Sequence, residues 1–337
     1  MKKKVLLPFE DKPYSQMYHH IAFPMGIIQG NAKEDITPWL CGKYINSRFD
    51  FENKHGNAFT IYASDYWALQ DNVLKKQRIF LFPDSYNAIF GDLILHLQNM
   101  IAMGFYVYGI YNEEYIPGKQ AYQKRYKQHD FLLIGFDTVL EEFVSVGYLQ
   151  DGYFQRFSIP FESMRQALKT VKTEKLFLNF FQFHSEAVFR LDLAQTILGI
   201  SDYLRSTASI QINSQYEIWG MDAMRALTDS FCDSCEKDDS IDIRYTKGLM
   251  EHKLYMHMRM EYLFKQSYLT DFSYVENAQQ VYKMAETVHM LGLKYNLTGK
   301  KTIVSNMQAI MNDMLLTECE YLPSVLAELQ KQKGVIT

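Results

Sequence analysis

Two textures of hydrophobic and polar positions divide the chain near residue 165. Before it, short apolar runs rich in β-branched and aromatic residues alternate with Gly and Pro; beyond it, long stretches almost free of Pro carry apolar residues at helical spacing. The first texture is that of strands and turns, the second that of amphipathic helices. The break falls within Phe161 to Lys175, which predicts a first domain over 1–165 and a helical domain over 166–337.

Individual elements follow from the same pattern. Tyr18 to Gln29 reads as a helix, although Pro24 and Gly26 weaken its interior. Ile36 to Tyr44 reads as a second, with Thr37 as N-cap and Pro38 at its first position. Ser85 to Met103 is a better helix, with Ile89, Leu93, Leu97 and Ile101 at intervals of four and Gly104 past its end. Strands are predicted at Phe105 to Tyr111, Phe131 to Gly135, Glu142 to Val146 and Tyr153 to Ile159, the last three as an antiparallel meander. Helices are predicted over Lys175 to Leu204, Tyr216 to Phe231, Ile241 to Lys265, Tyr274 to Lys294 and Thr302 to Gln330. The fold class is therefore α+β, an antiparallel sheet domain followed by an all-helical one.

Composition narrows the classes of function. An apolar fraction of 47% over 337 residues supplies two cores. A formal net charge of -4, with both signs mixed along the chain, argues against nucleic acid or a membrane surface as main partner. The longest apolar runs are far short of the roughly 20 residues of a membrane span. Cys41, Cys232, Cys235 and Cys319, with no apolar leader after Met1-Lys2-Lys3-Lys4, fit a reducing, cytoplasmic setting.

Among residues able to carry chemistry, His129 leads. The run Gln128-His129-Asp130-Phe131-Leu132-Leu133-Ile134-Gly135-Phe136-Asp137 sets an imidazole at the mouth of a buried strand, a rigid position suited to a general base. Nucleophiles are scarce: Cys41 sits on a predicted helix and reads first as a small core residue. Cys232 and Cys235 form a lone Cys-x-x-Cys with no second pair to complete a zinc site. His19-His20, and His252 with His257, lack the i, i+4 spacing that puts two imidazoles on one helix face, so no metal is predicted. Neither a P-loop nor a dinucleotide fingerprint occurs, and no cofactor is called for.

The segment Gly104 to Pro117, which includes Asn112-Glu113-Glu114-Tyr115-Ile116-Pro117, is followed by Tyr122, Lys124 and the His129 to Asp137 strand. Together they resemble the second half of the papain-like cysteine-peptidase domain of the butirosin biosynthesis protein H family. The histidine-strand-Gly-Tyr-Asp feature is shared with the double-glycine leader peptidases, and Phe136 stands here at its aromatic position. Phe143 to Tyr148, Gly152 to Ile159 and Phe161-Glu162-Ser163-Met164 continue the match. Tyr216 to Leu227, and Leu249 to Lys253 with Arg259, are similar to the accompanying helical domain.

The resemblance implies a papain-like fold and amide-forming acyl or peptidyl transfer through a thioester, in specialised-metabolite, nonribosomal-peptide or antibiotic biosynthesis. The implied partners are an acyl or peptidyl carrier protein and a small amine acceptor, with a homodimer as a further option. The family's nucleophile is a cysteine at the start of the first domain's central helix, here within Pro13 to Ile21, where Ser15 is the hydroxyl considered and no cysteine occurs. The third member would fall near Val146 to Tyr148, where Gly147 has no side chain to orient an imidazole, leaving Asp130 or Asp137 as substitutes. Two readings stand. One is a transferase with His129 as base and Cys41 or Ser15 as nucleophile; the other is a catalytically degenerate binding or scaffold protein of such a pathway.

Overall fold

The computed structural model describes residues 2–52, 58–62, 73–81, 91–172, 176–209 and 216–336. It is mixed α+β with antiparallel sheets. The chain forms two compact units, and both are discontinuous: Met1–Lys33 with Leu69–Val188, and Glu34–Ala68 with Phe189–Thr337. The predicted break near 165 thus lies within the first unit, because one further strand after it completes that unit's sheet.

In chain order, β1 (Lys4–Leu6) and α1 (His19–Asn31) open the first unit. Next come α2 (Thr37–Leu40), β2 (Asn46–Asp50) and β3 (Phe59–Tyr62), which belong to the second. The first unit resumes with β4 (Leu74–Leu81), α3 (Leu93–Ala102), β5 (Tyr106–Asn112), β6 (Gln128–Asp137), β7 (Glu142–Tyr148), β8 (Phe154–Pro160), α4 (Phe161–Lys169) and β9 (Leu176–Phe183). The rest is α5 (Leu193–Arg205), β10 (Glu217–Trp219), α6 (Gly220–Glu236), α7 (Ile243–Lys265), α8 (Ser273–Thr298) and α9 (Lys301–Ile336).

The sheet of the first unit runs β4-β9-β5-β6-β7-β8, with β1 paired to the far end of β6. The meander β6-β7-β8 matches the sequence pattern. Leu176 to Phe183 does not: predicted as the start of a long helix, it is a strand paired with β4 on one side and β5 on the other. Leu178, Phe180 and Phe181 are fully buried there. Phe180 and Phe181 are consecutive and so point to opposite faces; with both buried, the period-two signal is erased and the pattern also fits a helix. The predicted helix over 36–44 shrinks to α2. That over 85–103 is seen as α3, its residues 85–90 lying outside the described residues.

Helix α1 is buried on nearly every side from Ile21 to Ile28, as suits a helix at the centre of a unit. Its glycines have a reason. A Cβ on Gly30 would lie 2.5 Å from the backbone of Phe9, and one on Gly26 2.2 Å from the Phe9 ring. The N-terminal segment therefore crosses the helix at backbone distance, and the Glu10 amide donates to the Gly26 carbonyl at 2.9 Å.

In the second unit β10, β2 and β3 form a three-stranded antiparallel sheet, and five helices, α5 to α9, follow among the described residues. Their core holds charge. Lys253 Nζ donates to both carboxylate oxygens of Glu318 at 2.7 Å and to the Tyr203 hydroxyl at 2.8 Å. Arg259, 1% exposed, donates to the carbonyls of Cys41 and Lys43, each at 2.7 Å. Among the described residues no helix is long and apolar enough to cross a membrane.

His252, fully buried on α7 with its Nε2 2.7 Å from the Ile45 carbonyl, makes this unit sensitive to acid. Burial holds its pKa well below 6.5, and Lys253 and Arg259 push the same way. The unfolded chain protonates the residue near pH ~6.5 while the folded chain resists, so stability is fully present above that value and is lost as pH falls below it. The urea unfolding free energy should decline between pH ~7 and ~5.5, by up to about 1.4 kcal/mol per pH unit for this one residue. His252→Gln should flatten the decline; the same slope in both proteins would reject the assignment.

Candidate functional site

The start of α1 and the start of β6 meet in the first unit. Tyr18 is extended (φ -133°, ψ 147°), and His19 is the first helical residue. Its ring is buried against Phe23 (centroids 4.6 Å apart) and Tyr148 (5.4 Å). His19 Nδ1 lies 3.0 Å from Asp130 Oδ1, a hydrogen bond spanning 111 residues of sequence. The rings of His19 and His129 are 5.1 Å apart, and His129 Nε2 is 3.8 Å from the same Asp130 oxygen.

Strand β5 supplies the supports. Ile110 pairs with Asp130, which puts Tyr108, two residues away, on the same face; its hydroxyl donates to Asp130 Oδ2 at 2.7 Å. Where β5 ends, Asn112 caps a short turn by accepting the Glu114 amide at 3.1 Å, and this turn aims Glu113 back into the protein. Glu113 Oε1 is 3.1 Å from His129 Nδ1 and 3.7 Å from Lys119 Nζ, while Oε2 is 3.2 Å from Lys127 Nζ. Lys119 in turn donates to the Tyr148 carbonyl at 2.6 Å.

The electrostatics follow from these contacts. Burial opposes the ionised form of Glu113, but His129, Lys119 and Lys127 outweigh it and hold the carboxyl down to about 2. Burial likewise opposes ionisation of Asp130, and His19, His129 and Tyr108 together carry it well below the usual carboxylate range. Burial lowers the His19 pKa more than Asp130 raises it, which keeps the imidazole neutral. Burial also lowers Lys119, against the pull of Glu113 and Asp130.

Of the residues expected from sequence, His129 has a side chain 38% exposed and stands in this cluster with Asp130. Asp137 does not. It sits at the opposite end of β6, roughly 25 Å along the strand, where it pairs with Lys4 at 3.0 Å and accepts the amides of Val139 and Leu140. Ser15 belongs to the same unit, its side chain fully buried. Cys41 belongs to the other unit, is 1% exposed, and has its thiol pushed up to about 12 by burial, against the opposing pull of Arg259. A thiol so enclosed carries almost no thiolate at neutral pH, which favours the core reading of Cys41 over the nucleophile reading. Cys232 and Cys235 are free thiols on α6.

Gly147, the expected third position, lies on β7. A Cβ there would be 3.6 Å from His19 Nε2 and 3.5 Å from Lys119 Nζ. Sequence reasoning missed His19, Glu113, Lys119 and Tyr108. A search for pairs one helical turn apart cannot find two imidazoles carried by different elements. Comparison with protein-family models and with curated proteins finds no match for this chain.

Proposed function

We propose that this chain is a papain-like, butirosin protein H-like binding protein of a specialised-metabolite assembly pathway, which holds a carrier-bound acyl group or its amine acceptor without forming a thioester. One observation carries the reading: the start of the central helix, where a papain-like nucleophile would stand, is occupied by His19, engaged with Asp130 at 3.0 Å. An imidazole there offers no thiol, so the thioester of a papain-like transferase cannot form at that residue. The alternative nucleophiles are enclosed, Cys41 in the other unit and Ser15 beneath the surface of its own.

The test is incubation with a carrier protein bearing an acyl-phosphopantetheine arm, followed by intact-protein mass spectrometry and by calorimetry. The expected result is no covalent adduct, with binding that requires the acylated arm or a small amine. Brief iodoacetamide treatment should label the exposed Cys319 well before Cys41. An acyl adduct on Cys41 or Ser15 that disappears in His129→Ala would establish the transferase instead. Absence of both adduct and binding would remove this reading altogether.

A further inference from the structure

We propose that His19, His129 and Asp130 form a binding site for a divalent transition-metal ion, with zinc the ion that the ligands suit best. The three side chains offer ligand atoms that all lie within 4.8 Å of one another. With bonds of about 2.1 Å, two ligands of a tetrahedral zinc stand about 3.4 Å apart. The two measured edges bracket that value: 3.0 Å from His19 Nδ1 to Asp130 Oδ1 and 3.8 Å from His129 Nε2 to the same oxygen. Two imidazoles and one carboxylate make a donor set suited to zinc, and three protein ligands leave a fourth position for water or a ligand atom.

The outer atoms of the ligands supply the second argument. A metal-binding histidine usually gives its other ring nitrogen to a carboxylate, and a metal-binding carboxylate is itself hydrogen-bonded. His129 Nδ1 stands at ion-pair distance, 3.1 Å, from Glu113 Oε1 without hydrogen-bond alignment, and Nε2 is the ring nitrogen that faces Asp130. Asp130 Oδ2 takes the Tyr108 hydroxyl at 2.7 Å, which leaves Oδ1 to face both imidazoles. In the metal-free form the ionised Asp130 holds the His19 proton on Nδ1, and His19 Nε2 is buried with no hydrogen-bond partner, free to take that proton. On metal binding the proton of Nδ1 moves to Nε2, and the Nδ1 lone pair goes to the ion.

Lys119 and Lys127 balance Glu113 and Asp130 in charge, so the dication adds its full charge to the site and affinity is modest. The neutral His19 and ionised Asp130 are the forms that coordinate metal. The inference stands on these distances and does not depend on the papain-like reading: metal binding and carrier binding are measured separately, and either can fail alone.

The experiment uses the full chain, stripped with chelator and titrated with zinc chloride by calorimetry and with cobalt chloride by visible absorption. One ion per chain is expected, with the strong visible bands of four-coordinate cobalt. His19→Ala, His129→Ala and Asp130→Ala should each weaken binding by more than about 100-fold, and Glu113→Gln and Tyr108→Phe by about 10- to 100-fold with the stoichiometry kept at one. Circular dichroism of each variant establishes that it folds, and Cys232→Ser with Cys235→Ser controls for thiol binding. No stoichiometric uptake, uptake unaltered by His19→Ala with His129→Ala, or uptake lost with the two cysteines would each overturn the proposal.

Discussion

Glu318→Gln should destabilise the second unit by about 3–5 kcal/mol, measured as the urea unfolding free energy at neutral pH. Lys253 and Glu318 are 1% and 0% exposed, on α7 and α9, and both carboxylate oxygens are engaged by the ammonium. Burial already lowers the Lys253 pKa, which Glu318 opposes. Without the negative partner the ammonium must lose its proton or remain buried and uncompensated, and either outcome costs several kcal/mol. The Tyr203 hydroxyl, which donates to Glu318 at 2.7 Å, loses its charged acceptor in the same step. Lys253→Met should cost less, because Tyr203 continues to donate to the carboxylate. The double variant Lys253→Met with Glu318→Leu should recover most of the loss, since the group left unpaired costs more than the pair contributes. Single variants within about 1 kcal/mol of wild type would show that water reaches the pair.

Arg259→Met should lower stability by about 2–4 kcal/mol, and Arg259→Lys should not restore it. The guanidinium spans two carbonyls, with Nε on Cys41 and Nη2 on Lys43, while Nη1 meets the Met256 sulfur at 2.8 Å. Methionine fills much of the volume but leaves the Lys43 carbonyl without this donor, at about 1–3 kcal/mol for a buried acceptor. The Cys41 carbonyl keeps a contact with the Thr196 hydroxyl at 3.1 Å, although that single proton is shared with the nearer Asp192 carbonyl at 2.8 Å. Lysine carries the charge, but a single ammonium cannot reproduce the planar fork. The variant also bears on Cys41: loosening its backbone should speed alkylation of that thiol relative to Cys319. Stability equal to wild type, with Cys41 still protected, would show that the fork is dispensable.

Different physical signals explain what the sequence disclosed. The pairing of β6, β7 and β8 was legible because neighbours in sequence pair in space, so local turn signals at 138–141 and 149–152 sufficed. Strand β9 was not, since its partners Leu74 to Leu81 and Tyr106 to Gly109 are distant in sequence and both its faces are covered. Helices α7, α8 and α9 were placed to within a few residues, apart from six more at the end of α9, because each keeps one apolar face over many turns. The assignment of 34–68 to the second unit had no local signature at all, for it rests on pairs such as Phe49 with Ile218.

The site divided in the same way. His129 announced itself by standing before an apolar strand. His19 is an ordinary residue until the fold sets it 3.0 Å from Asp130, and Glu113 gains its role from a turn that Asn112 caps. Cys41 drew attention for its element alone, whereas the structure uses chiefly its carbonyl, as an acceptor for Arg259 and Thr196.

The position of β9 bears on the order in which the molecule can assemble during synthesis. It is the last strand of its sheet to leave the ribosome, yet it lies between β4 and β5. Until residue 183 has emerged, those two strands face each other across a gap that only β9 fills, and each presents an unpaired edge. The stretch 34–68 emerges early and waits longer still, since its partners begin at residue 189. Both units therefore close through contacts between remote parts of the chain, a topology that folds slowly and leaves nascent edges open to self-association.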